Sequence, residues 1–308
     1  MMHKRAFANA ALLLTAAIWG LGFVAQRVGA QYVGAFTFNG IRFGLGALSL
    51  LPLIYFMDKK DSEKRVKTGE VKAVGTFKTN ILPGILVGLV LYIAATLQQV
   101  GLTYTTAGKG GFITGLYMVF VPLLGLLLKH KISKNSWAGV VIAVVGLYLL
   151  SVNEDFTIAY GDLLVLIGAI FWAIHILTID RFAQSMNPLK LSSLQFATCS
   201  ILSLGTALAT ETVTMAGLQG SLIPILYGGL LSVGVAYTLQ VVAQKHAKPS
   251  HAAIILSMES VFGAIGGALL LGESMNLRGL IGCGLILAGI LVSQMTFGKK
   301  SVPASVTE

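Results

Sequence analysis

The chain of 308 residues is 55% hydrophobic and 11% charged, with a mean hydropathy of +0.81, which excludes a soluble globular fold and places it in the polytopic membrane class. A net charge of +10 would direct a soluble protein toward nucleic acid, but here the basic residues stand between apolar runs, where they set topology. Cys199 and Cys283, the two cysteines, both lie within apolar runs, so neither a disulfide framework nor a CxxC metal or redox site is expected.

Apolar runs punctuated by turn and charge signals predict ten spans, at residues 7–27, 34–56, 81–102, 108–128, 135–152, 161–180, 189–210, 221–243, 250–271 and 278–297. The first follows His3, Lys4 and Arg5 and has a small-residue stretch at Val28-Gly29-Ala30, as a signal peptide would. Its apolar length of about 20 residues and the spans behind it favour a retained helix. The long connection at residues 57–80 mixes Lys, Arg, Asp and Glu and reads as a solvated loop that anchors topology, with contact to anionic lipid as the alternative.

Of the 22 Lys and Arg residues, 18 fall on one side of the membrane if the N-terminus is placed inside; only Lys109 and Arg278 fall on the other, with Arg27 and Arg42 in or at the ends of spans. Because basic loops stay in the cytoplasm, both termini are expected there, in agreement with an even span count.

The chain also repeats itself. LLLTAAIWGLGFVAQRVGAQ (Leu12–Gln31) aligns with VLIGAIFWAIHILTIDRFAQ (Val165–Gln184) at an offset of 153, pairing Trp19 with Trp172. LLLKHKISKNSWAGVVIAVVG (Leu126–Gly146) aligns with LLLGESMNLRGLIGCGLILAG (Leu269–Gly289) at an offset of 143. Five spans per half is an odd number, so the second half must run upside down relative to the first. The expected fold is an all-α integral membrane protein of ten transmembrane helices built as a 5+5 inverted repeat. Its divisions are residues 1–152, residues 153–298 and a cytoplasmic tail at 299–308. Such a plan places a solute path near the midplane, between the repeats.

The strongest functional lead is Glu259, in the middle of the ninth span. A central charge there costs at least about 2.5–3.5 kcal/mol, so the residue must be neutral, paired or facing water inside the bundle. Gly263, Gly266 and Gly267 beside it offer a face on which another backbone can approach closely. Arg42 in span two lies at a depth of about 12 Å from one face and Glu259 about 13 Å from the other, at 1.5 Å per residue. Across a core of about 30 Å the two fall at similar heights. They either pair, or Arg42 snorkels outward while Glu259 bonds to Ser257 or Ser260. Trp19, Trp172, Tyr92, Tyr117 and Tyr237 are candidates to line a path for an amphipathic solute, with packing as the alternative. His175, one turn beyond Trp172, is a further candidate for solute or proton contact, and Gln98 for binding a polar solute or bridging helices. No metal spacing, HExxH, GxSxG or nucleotide loop accompanies them, so neither an enzyme nor a resident metal or cofactor is expected.

Trp19-Gly20-Leu21-Gly22-Phe23, Ile41-Arg42-Phe43, Glu259-Ser260-Val261-Phe262 and Leu271-Gly272-Glu273 resemble the drug/metabolite transporter superfamily, in its ten-helix branch with two EamA-type repeats, over about residues 8–297. The resemblance implies a multi-pass carrier of the bacterial inner membrane, commonly an exporter of amino acids or other small metabolites. An importer or a drug or cation exporter of the same fold is the alternative, and a channel or membrane sensor the alternative of another class. The implied partners are a small-molecule solute and the bilayer, not nucleic acid; a monomer holds the whole path, and GxxxG-spaced faces leave a homodimer open. Two departures stand out. The Glu of the second repeat, Glu273, is replaced in the first by Lys129-His130-Lys131, and Ser260 stands where a Pro often follows the intramembrane Glu, so no kink can be assumed.

Overall fold

The computed structural model describes residues 2–68, 81–129, 132–151, 159–272 and 277–294, and among these it is helical throughout, with no strand. The first repeat contains α1 (Met2–Gly29), α2 (Ala35–Thr68), α3 (Leu82–Tyr104), α4 (Ala107–Gly115), α5 (Tyr117–Leu127) and α6 (Lys134–Ser151). The second contains α7 (Tyr160–Ala183), α8 (Pro188–Thr210), the short α9 (Met215–Gly220) and α10 (Leu222–Leu226), a π-helical segment (Tyr227–Tyr237), α11 (Thr238–Gln244), α12 (Pro249–Leu256), α13 (Glu259–Leu271) and α14 (Leu277–Gln294). Among the described residues eight helices are long and apolar enough to cross a membrane, and α14 adds a shorter apolar stretch, Leu280–Ser293. Ser274 to Asn276, Glu273 and the His130-Lys131 pair lie outside the described residues, as do residues 69–80 and the tail from 295.

Where the sequence suggests that span two ends at 56, α2 continues to Thr68. Its apolar part runs to Lys60, and residues 57–60 are already exposed, so the charged connection begins as a helical extension.

The repeats pack as an inverted pair. Along α2 and α8, Ser200 Oγ donates to the Gly40 carbonyl at 2.7 Å and Ser193 Oγ to the Ala47 carbonyl at 3.4 Å, so the chains run antiparallel. At the offset of 153 the two residue pairs exchange, Gly40 with Ser193 and Ala47 with Ser200, although both donating hydroxyls belong to α8. The α6–α14 pair obeys the same rule. A Cβ on Gly139 would lie 2.6 Å from the Gly289 carbonyl oxygen, and one on Gly146 would lie 2.6 Å from that of Gly282. At an offset of 143 those two contacts exchange. Only glycine lets the two backbones approach so closely. Third helices correspond at 141, where Gly88 meets Gln195 and Thr198 just as Gly229 meets Arg42 and Leu45.

The ends of α2 and α8 repeat the pattern. Glu211, just past α8, accepts from the Phe36 and Thr37 amides (both 2.8 Å) and from Thr37 Oγ1 (2.7 Å), satisfying free donors at the start of α2. Its counterpart Asp58 meets Lys190 at the start of α8 at 2.8 Å, a half-exposed pair that contributes little.

Two helices predicted as unbroken are interrupted at equivalent places. The break between α4 and α5 falls at Leu116, and that between α12 and α13 at Ser257-Met258, where tighter i→i+3 bonds replace the regular ladder. Leu116 and Glu259 correspond at 143. The second break forms without a proline, Ser260 standing directly after Glu259. The breaks face one another, with Ser260 Oγ donating to the Gly111 carbonyl at 2.8 Å.

Candidate functional site

Where the two repeats meet, α1, α2, α3, the α4–α5 break, α7, the π-helical segment with α11, and the start of α13 enclose one cavity. Trp19, Arg42, Gln98, Tyr117, Trp172, Tyr237 and Glu259 line it, which gathers seven of the nine residues selected from the sequence. The remaining wall comes from Phe23, Gln26, Thr114, Ile176, Ser232 and Gln240. The cavity holds about 30 Å³, room for about two water molecules and too little for a metabolite.

Tyr237 is its hub. Its ring stands 4.5 Å from Trp19 and 6.0 Å, stacked, from the repeat-equivalent Trp172. It also stands 5.9 Å from both Phe43 and Phe196, which correspond at 153. One tyrosine thus contacts both members of two symmetric aromatic pairs, which places it near the pseudo-twofold axis. The π-helical segment carries it there. That segment accepts bonds from α1, Trp19 Nε1 to the Ser232 carbonyl (3.2 Å) and Thr15 Oγ1 to the Ala236 carbonyl (3.1 Å). Wider π turns free carbonyl lone pairs for such donors and recur at functional sites.

Polar groups line the side toward Gln98. Trp172 Nε1 donates to Gln98 Oε1 at 2.7 Å, and Gln98 Nε2 donates to Gln26 Oε1 at 3.2 Å. Thr114 Oγ1 adds a long contact to Gln98 Oε1, 3.4 Å. Gln98 therefore both lines the cavity and bridges α1, α3 and α7.

Arg42 is 2% exposed. Its Nε donates to Asn39 Oδ1 (3.0 Å), its guanidinium lies 4.9 Å from the Phe43 ring centre and 5.5 Å from that of Phe38, and Nη2 has no partner. It is buried rather than snorkelling. Glu259 is 3% exposed, and its Oε1 likewise has no partner. The two line one cavity without forming an ion pair. Nor do the neighbouring serines satisfy Glu259, because Ser257 Oγ donates to the Ile254 carbonyl (2.7 Å) and Ser260 Oγ to that of Gly111. The Tyr117 hydroxyl, on another residue of the same cavity, likewise has no hydrogen-bond partner. Leaving buried polar groups unsatisfied costs free energy in a packed core, so Arg42 Nη2 and Glu259 Oε1, on two residues that line one cavity, are among the atoms whose missing partners call for explanation.

Each charge stands in only one repeat. Gln195 is the counterpart of Arg42 and is bound to His175 Nε2 at 2.8 Å; Leu116 is that of Glu259. The expected close approach beside Glu259 is present at Gly20, where a Cβ would lie 2.7 Å from both the Glu259 carbonyl oxygen and the Gly263 nitrogen.

His175 and Tyr92 do not reach the cavity. His175 is fully buried behind Trp172 and Tyr237, edge-on to both, and Tyr92 bonds to Thr206 Oγ1 at 2.8 Å between α3 and α8. Of the lining residues not selected from the sequence, Gln26 and Gln240 carry a usable signal, an amide within an apolar span. Phe23 and Ile176 carry none, being ordinary for any buried helix. Among the described residues no group of three or more His, Cys, Asp or Glu is placed to hold a metal.

The EamA-like transporter family matches the chain twice, over residues 6–152 and 159–295. An uncharacterized transporter of Archaeoglobus fulgidus is 32% identical over 290 residues, covering 94% of this chain and 86% of that protein. The uncharacterized transporter YoaV of Bacillus subtilis (strain 168) is 23% identical over 291 residues, 92% of this chain and 96% of its own length. One solved crystal structure superposes with a TM-score of 0.70 over 92% of this chain and 96% of its own, at 17% identity, and so has the same fold.

Proposed function

Because the chain belongs to the EamA-like transporter family, we propose that it exports a small amphipathic metabolite, an amino acid or a relative of one, by alternating access around the cavity between its repeats. The carrying observation is that one aromatic-walled cavity is lined by a basic and an acidic side chain, each with an unpartnered polar atom, Arg42 Nη2 and Glu259 Oε1. A carboxylate suits the guanidinium, an ammonium suits Glu259, and an apolar side chain suits the space between Trp19, Trp172 and Tyr237. Since the cavity is too small for such a guest, binding requires it to widen, as a rocking of one repeat against the other would do.

On this reading the protein is a carrier and not an enzyme, with ten crossings, repeats at 1–152 and 153–298, both termini in the cytoplasm and residence in the cell membrane. Energy comes from a solute or ion gradient, Glu259 being the group able to take up and release a proton. A second reading, export of an organic cation, draws on the same carboxylate inside an aromatic box.

The test is flux through sealed vesicles of purified protein, with labelled amino acids, other metabolites and organic cations, with and without a pH gradient. Selective movement of a zwitterion supports the first reading, selective movement of a cation the second. A folded, inserted protein that moves none of them overturns both.

A further inference from the structure

A second cavity of about 500 Å³ opens at one end of the molecule, between the start of α6, the end of α7 and the α11–α12 turn. Ser136, Gln184, Gln244, Lys245, His246 and His251 are among the side chains around it. It is large enough for a small metabolite, which the central cavity is not. Two helices run between the two cavities, α7, with Ile176 at the central cavity and Asp180 one turn later at the vestibule, and α11. Gln240 lines the central cavity and Gln244, one turn later, lines this vestibule. Gln240 is 1% exposed and Gln244 fully buried, and the Oε1 atom of each lacks a partner. Gln244 Nε2 donates to the carbonyl of Ile176 at 3.0 Å, and Ile176 itself lines the central cavity.

The opposite end is closed more heavily. Arg27 Nη1 donates to the carbonyls of Leu102 (2.9 Å) and Thr103 (3.3 Å), and behind it Gln26 is bound to Gln98 and by its carbonyl to Gln99 Nε2. Thr103 is the counterpart of Gln244 at the offset of 141, so equivalent positions are strapped by a charged side chain at one end and by neutral amides at the other, where Gln184 Nε2 adds a long hydrogen bond to the Lys245 carbonyl, 3.4 Å.

We infer that Gln240 and Gln244 form a two-amide step on the solute path between the vestibule and the central cavity, and that the bond from Gln244 to Ile176 is its closure. This rests on the transporter reading. Each amide offers a donor and an acceptor, so a polar solute leaving water at the vestibule can exchange hydrogen bonds over one helical turn, about 5.4 Å, before reaching Arg42 and Glu259. The unpartnered oxygens of Gln240 and Gln244 are the acceptors such a step needs, on residues that line the two cavities.

Accessibility tests this without a solute. Full-length protein carrying Gln244→Cys or Gln240→Cys is labelled with a small, charged thiol reagent, and the modified peptides are resolved by mass spectrometry from those of Cys199 and Cys283. Cysteine at 244, which borders the vestibule and itself removes the bond to Ile176, should label faster than cysteine at 240. Adding Gln244→Ala to the Gln240→Cys protein should speed labelling at 240 by about five- to ten-fold, the factor that loss of one hydrogen bond gives an open population. Cys199, fully buried, must stay unlabelled in every variant; if alanine loosens the fold and exposes it, Gln244→Met removes the amide at similar volume and replaces it. Equal labelling at 240 and 244 in the single variants, or no acceleration at 240 by either substitution, overturns the inference. Failure of the flux assay with this labelling pattern intact would remove the transport reading and leave the closure standing.

Discussion

Arg42 and Glu259 are the residues on which the proposed chemistry turns, and their burial makes them separable by substitution. Glu259→Gln keeps the shape and removes the titrating group, so flux driven by a pH gradient should fall to the level without one, while solute exchange at equal pH persists; flux assays on both variants measure this. A Glu259→Gln protein that retains its full pH response would end the proton-carrier role. Arg42→Gln installs the residue found at the equivalent position of the other repeat, Gln195, and should fold while losing flux of carboxylate-bearing solutes by about ten-fold or more, as loss of a charge-assisted hydrogen bond implies. Trp172→Phe leaves Gln98 Oε1 with only the long Thr114 contact. That should cost about 1–3 kcal/mol in detergent unfolding, the usual penalty for a buried acceptor left unmet.

Packing between elements depends on backbone approach, because lipid tails are as apolar as leucine and supply no hydrophobic drive between helices. The α6–α14 pair is the most extensive contact between elements, and glycines at 139, 146 and 289 stand where a Cβ would overlap the partner backbone. Gly289→Leu should therefore lower the thermal transition of the purified protein, by the equivalent of about 1–3 kcal/mol or more for an overpacked site. A substitution at Gly284, beside which a Cβ would meet nothing, is the control and should leave the transition unchanged. Glu211 binds the start of α2 through three bonds, and Glu211→Ala should cost about 1–2 kcal/mol in the same measurement, the scale of a lost N-terminal cap.

For the molecule as a whole, the repeats interlock rather than sit side by side, since α2 packs on α8 and α6 on α14 across the pseudo-twofold axis. Any opening at one end must then draw on the same helix pairs that close the other, which suits two alternating states and not a standing pore. The distribution of Lys and Arg predicts both ends of the chain on the cytoplasmic side. Reporter domains fused at the N- and C-termini should both be accessible only from the cytoplasm; opposite locations would refute the even number of crossings.

Hydropathy and charge determined the membrane class and the selection of Arg42 and Glu259, because insertion into lipid depends on the local free energy of each segment and each buried charge, and aligning the sequence on itself yielded the two-fold repetition with its Trp19–Trp172 pair. The helix interruptions at Leu116 and Ser257-Met258, the π-helical segment under Tyr237, and the exclusion of His175 and Tyr92 from the cavity were decided by tertiary structure. Spans that are apolar on every side carry little rotational signal, so which face of a helix meets the cavity is set by its neighbours. Gln244 illustrates the difference: in the sequence it is one amide among several, and only tertiary structure brings it to the vestibule and onto the Ile176 carbonyl.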